Sequence, residues 1–118
     1  MMTRNPRHNS RSKGKRGELE WRDVLRDLGY LSAERGQQRA GGADAPDVKN
    51  GIPGTHPEVK RVEALNIHKA MAQAVGDAVD LVPYVAHRRN RTDWLVTIRA
   101  SDLVEFARLV ANSQQEMT

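Results

Sequence analysis

The sequence predicts one mixed α/β domain, also describable as α+β, with a central mixed β-sheet flanked by helices. Three observations carry this expectation. Apolar residues recur with a helical period in three separated stretches. Short β-rich runs bounded by glycine, proline and asparagine lie between them. The 118 residues suit a single domain with a modest core. The predicted order is α-β-β-β-α-β-β-α.

The first helix is expected over residues 15–28. Trp21, Val24, Leu25 and Leu28 form one stripe, and Gly29 follows as a C-terminal stop. Glu18 lies three residues before Trp21 and seven before Leu25, on the core side near the helix start. Its carboxylate either meets a buried partner or complements the positive helix N-terminus. Glu20 points well away from the stripe. Residues 30–34 read as a short strand. Residues 35–42, RGQQRAGG, form a glycine-rich loop whose Arg35 and Arg39 either bind phosphate or are simply solvated. No phosphate-loop motif is present.

Asp47-Val48 is expected on a second short strand, followed by the turn signals Asn50-Gly51 and Pro53-Gly54. Residues 56–62 read as the return strand. Glu58 and Lys60 share one face of it, and Val59 takes the other, in the core. Pro57 lacks a ladder donor, so this strand lies at an edge there or pairs only beyond it. A second helix is expected over residues 66–79, capped by Asn66. Ile67, Ala70, Met71, Ala74, Val75 and Ala78 are its buried face, with Lys69 and Gln73 opposite. Residues 81–86 and 93–98 read as paired strands. Their connection carries Arg88, Arg89 and Arg91, a tip that either grips a phosphate or solubilises the turn. Ser101 is the expected cap of the last helix, with Leu103, Phe106, Ala107 and Val110 as its apolar stripe. The domain should therefore span residues 14–112, with residues 113–118 frayed.

Charge is distributed unevenly. Residues 1–17 hold Arg4, Arg7, Arg11, Lys13, Lys15 and Arg16 and no acid, a net +6; the remainder holds 13 bases and 15 acids, a net −2. Residues 1–13 are polar and aperiodic, and are expected to be a disordered basic arm. Such an arm either contacts phosphates non-specifically or is a solvated leader. The absence of cysteine excludes disulfides and zinc–thiolate sites. No apolar run approaches membrane-spanning length and no apolar signal core is seen, so a cytoplasmic location is expected. Aromatic residues are 4% of the chain, too few for a base-stacking platform to be the main binding device.

The chemistry-bearing pattern is Pro46-Asp47-Val48 followed by Glu58-Val59-Lys60. Asp47 and Glu58 can hold a hard divalent cation, which needs few protein carboxylates because it keeps several waters. Lys60, two residues beyond Glu58, shares its face and can orient water or stabilise phosphate charge. Arginines around such an acidic site would make it attractive to a polyanion. His56 and His68 are either general bases or surface histidines.

The run Gly14-Lys15-Arg16-Gly17-Glu18-Leu19-Glu20, then Pro46-Asp47-Val48, then Glu58-Val59-Lys60-Arg61, resembles the PD-(D/E)xK nuclease superfamily. Within it, the chain looks most similar to the Holliday junction resolvases and to related small endonucleases often encoded by phages. The resemblance covers roughly residues 14–98 through about ten motif positions. It implies a restriction-endonuclease-like core and a metal-dependent endodeoxyribonuclease using Mg2+, with Mn2+ able to substitute. Glu18 matches the glutamate of the opening Gly-x-x-x-Glu segment and would assist metal or water binding. Asp47 and Glu58 would be metal ligands, with the Val59 backbone carbonyl a third, and Lys60 the catalytic lysine. Gln73 is similar to an auxiliary glutamine on the following helix. DNA contacts would come from Arg16, Arg35, Arg39, Arg88, Arg89 and Arg91. The implied substrate is DNA, branched or four-way, cut by a symmetric homodimer in the cytoplasm, or in a host's if the chain is phage-encoded. Leu103, Phe106 and Val110 offer a dimer face. His56 and Pro57 stand where apolar residues are common in the family. The alternatives are a general nuclease of this superfamily acting on linear DNA and a non-catalytic DNA-binding protein.

Overall fold

The computed structural model describes residues 6–36 and 46–118. The first helix, α1, spans Pro6–Asp27. It starts earlier than residue 15, running back over part of the segment expected as a disordered arm. Proline suits the first helical position, where its missing N–H is not needed, and no glycine or proline interrupts residues 7–13. Trp21 and Leu25 are fully buried, as the stripe requires, but Leu28 is 52% exposed. The helix ends one residue earlier, and Gly29, at φ 108°, turns the chain so that Tyr30 is buried instead.

The expected strand at residues 30–34 shifts C-terminally. Strand β1 is Glu34–Arg35, and it pairs antiparallel with β2, Val48–Lys49. Residues 30–32 form a turn held by the Ala33 N–H on the Tyr30 carbonyl. Strand β3, Thr55–Arg61, pairs parallel along its length with β4, Val82–Arg88. Strand β4 pairs antiparallel with β5, Leu95–Thr97. The strands thus form a two-stranded ladder and a separate mixed three-stranded sheet of order β3-β4-β5. Mixed α/β architecture is what the chain adopts.

Helix α2, Ile67–Ala78, crosses between the parallel strands, as parallel pairing requires. Asn66 caps it, its side-chain oxygen accepting the Lys69 N–H. The buried positions Ala70, Ala74 and Ala78 follow the helical period. After β5, a 3-10 turn at Ala100–Asp102 precedes α3, Leu103–Glu116. Ser101 therefore lies inside that turn and caps nothing, while Arg99 Nε donates to Asp102 Oδ2 across it. The buried side of α3 is rotated from the expected stripe. Phe106, Leu109 and Val110 pack on the core, whereas Leu103 is 58% exposed. The end of α3 is anchored rather than frayed: Ser113 is buried and hydrogen-bonded to the Tyr30 hydroxyl, and the Gln114 amide donates to the Leu28 carbonyl.

The principal core joins Trp21, Leu25, Tyr30, Val48, Val59, Tyr84 and Ala86. Trp21 Nε1 donates to the Tyr84 hydroxyl at 3.1 Å, so both polar tips are satisfied inside it. The other side of the sheet meets α2 through Val85, Ala70 and Ala74. Strand β3 is thus sandwiched at one edge of its sheet, with α1 on one face and α2 on the other.

Candidate active site

Strand β3 builds the site because, among the described residues, its second edge is not hydrogen-bonded to another strand of its sheet. The Val59 N–H points to that edge and donates to Asp47 Oδ2 at 2.8 Å. Asp47, just ahead of β2, is thereby held against β3. Pro57 shares the parity of Val59, so its missing N–H also falls on this edge, where no ladder bond is lost. Strand alternation turns the Val59 carbonyl the same way.

Two glycines permit the close packing. A Cβ on Gly17 would lie 2.8 Å from the Arg61 Cβ, so only glycine lets α1 approach β3 here. A Cβ on Gly36 would overlap the Pro46 carbonyl, and the Gly36 N–H donates to the Asp47 carbonyl at 2.9 Å. The first glycine brings Glu18 to the edge of β3. The second brings Arg35 beside it.

Glu18, Asp47 and Glu58 are all buried, at 7%, 8% and 5% exposure. Arg35 Nε donates to Glu18 Oε1 at 2.7 Å. Lys60 Nζ lies 3.4 Å from Glu58 Oε1 and donates to Gln73 Oε1 at 3.2 Å. Burial raises the pKa of Glu58 to about 7; Asp47 repulsion adds to this and Lys60 opposes it. Burial likewise raises Asp47, against the Val59 N–H bond, Lys60 and His56. Burial and Asp47 raise Glu18, against Arg35 and Lys60. The three carboxylates therefore share one electrostatic environment in which full ionisation is costly.

The site residues read from the sequence are not all placed as expected. Asp47, Glu58, Val59, Lys60 and Gln73 come together. Glu18 reaches their electrostatic field but is turned to Arg35, and that arginine, expected on DNA, is engaged inside the protein. Among the described residues, no three His, Asp or Glu side chains form a group able to hold a metal ion unaided. Two carboxylates with oxygen donors alone still suit a hard cation that keeps much of its water. Arg16, Arg89 and Arg91 are exposed. Arg88, expected on the hairpin tip, lies in β4, donates to the Thr92 carbonyl and meets Glu20 at 3.4 Å. Arg39 lies outside the described residues.

Two features escaped the sequence reading. His56, expected at the surface if not catalytic, is 3% exposed and lies on the face of Glu58 and Lys60, close enough for its charge to act on Asp47. The i, i+2 spacing on β3 was the available signal. Glu20, expected to point away, accepts from Arg61 Nε at 2.6 Å and ties α1 to both β3 and β4. In the expected dimer face, Phe106 and Val110 are used by the core, Phe106 stacking edge-on against Tyr84 at 5.6 Å. No helix among the described residues is long and apolar enough to cross a membrane. Compared with known proteins, the chain matches no family model, no curated protein and no solved structure.

Proposed function

We propose that this chain is a magnesium-dependent endodeoxyribonuclease of the PD-(D/E)xK type, selective for branched DNA and acting as a homodimer. The observation that supports it is the grouping of Asp47, Glu58 and Lys60 on the outer edge of β3, with both carboxylates buried and Lys60 held by Gln73. A buried pair of carboxylates with raised proton affinity costs stability, and a pattern of this kind is kept where it serves chemistry. Asp47, Glu58 and the Val59 carbonyl would hold Mg2+, which when bound would lower the pKa of a water and neutralise phosphate charge. Lys60 would then orient the attacking water and donate to a non-bridging phosphate oxygen. Gln73 fixes the lysine's position. Arg35, by holding Glu18, keeps a third carboxylate beside the site. The exposed Arg16, Arg89 and Arg91 would bind the flanking backbone.

The test compares a four-way junction with a matched linear duplex, in magnesium or EDTA, beside Lys60→Ala. Paired, magnesium-dependent nicks in the junction alone are expected, and Lys60→Ala should bind but not cut. Cutting of both substrates would leave a general nuclease. Tight binding without cutting, in manganese as well, would leave a non-catalytic DNA-binding protein.

A further inference from the structure

One cleft lies beside the carboxylate site rather than on it, where β4 and β5 meet the start of α2. It holds about 350 Å³, at the small end of pockets that admit a compact ligand. Its apolar lining is Val62, Leu65, Ile67 and Leu95, with His87 and Arg89 among its polar residues. A second cleft of about 240 Å³ contains Lys60 and Gln73, and the two share Val62 and Leu65. They are consecutive stations along one side of the molecule. The ladder sets them side by side, since Lys60 on β3 is the register partner of His87 on β4.

We propose that this cleft receives one unpaired nucleotide of the DNA strand whose backbone passes Lys60, its base against the four apolar side chains and its phosphate on Arg89. The inference rests on the DNA-processing role above and names the substrate feature that role would read. Charge favours this occupant. Arg88 is spent on Glu20 and the Thr92 carbonyl, whereas Arg89 is exposed and in no ion pair among the described residues. Thr92 Oγ1 accepts the Arg89 N–H and donates to its carbonyl, so the segment that carries this guanidinium is fixed in advance. Glu63, the carboxylate in the lining, accepts the Asn90 N–H. The apolar lining also needs a cover, because Leu95 is 58% and Val62 36% exposed. A base stacked in a duplex cannot enter such a cleft without leaving the stack. One already unpaired avoids that cost.

The experiment uses a duplex with a single bulged 2-aminopurine and its fully paired counterpart, in calcium so that strands stay intact. The bulged probe should change fluorescence on binding and be preferred on the order of tenfold. Leu95→Gln should remove most of that preference and the fluorescence change, with affinity for paired duplex unchanged. Val62→Gln, also at an exposed position, should repeat the result. Equal affinity of the wild-type chain for both probes, or an unaltered preference in both variants, would overturn the cleft assignment. Magnesium-dependent cleavage without bulge preference would sink this inference alone. Bulge preference without cleavage in any metal would sink the nuclease reading and leave the cleft standing.

Discussion

The two faces of β3 carry the same backbone and opposite chemistry. Toward α1, Val59 closes a core with Trp21, Leu25, Tyr84 and Ala86. Toward α2, His56, Glu58 and Lys60 alternate along β3 with Pro57 and Val59, and two of the three are almost fully buried. A strand with one buried face normally turns polar residues to water. Here α2 covers the polar face too, so Glu58 is met by Lys60, and Lys60 by Gln73 on α2, while Asp47 adds repulsion. One face maximises stability. The other gives some up to hold ionisable groups together.

The comparison predicts that the two faces fail differently. The largest effect is expected from Glu58→Gln, which should lower junction cleavage by at least about a thousandfold while leaving the fold intact. Its melting temperature without metal at pH 8 should equal or exceed that of the wild-type chain, because a buried charge has been removed. A large fall in melting temperature would show that Glu58 stabilises the fold. Next, Leu25→Ala on the other side should cost about 2–5 kcal/mol in urea unfolding, since Leu25 is 0% exposed. The fraction still folded should cleave at an undiminished rate. Loss of cleavage in folded protein would dissolve the division of labour between the faces.

The smallest effect concerns pH. The folded-state pKa of Glu58 is raised from 4.5 to about 7, so the native state holds a proton that the unfolded chain has released. Stability should therefore be fullest below pH 4.5 for this group and be lost as pH rises toward 7. Measured in EDTA, the melting temperature should fall by on the order of 5 °C between pH 5 and pH 8. Glu58→Gln should flatten that slope, and an unchanged slope in the variant would assign the effect to other groups.

The parts legible in the sequence are those with a short-range cause. Asn66 caps α2 because an asparagine side chain reaches the N–H three residues on. Trp21 and Leu25 are buried because they lie four apart on one helix side. Pro57 sits on an edge strand because it cannot donate to a ladder. The misread positions depended on something distant. Leu28 and Leu103 continue apolar stripes yet are 52% and 58% exposed, because the chain packed near them leaves these side chains uncovered. Ser113 belongs to a firm helix end because Tyr30, far away in sequence, bonds to it.

The candidate site divides in the same way. The sequence alone determined that Glu58 and Lys60 share a face, that Val59 takes the core side, and that two glycine-rich turns lead from Asp47 to them. These follow from the two-residue period of a strand and from turn chemistry. Tertiary structure alone decided that Arg35 grips Glu18, that Glu20 joins Arg61 and Arg88, and that His56 is buried. Periodicity orients a side chain relative to its own element. It carries no information about which element will cover it, and for a charged group the partner met there sets its protonation and its chemistry.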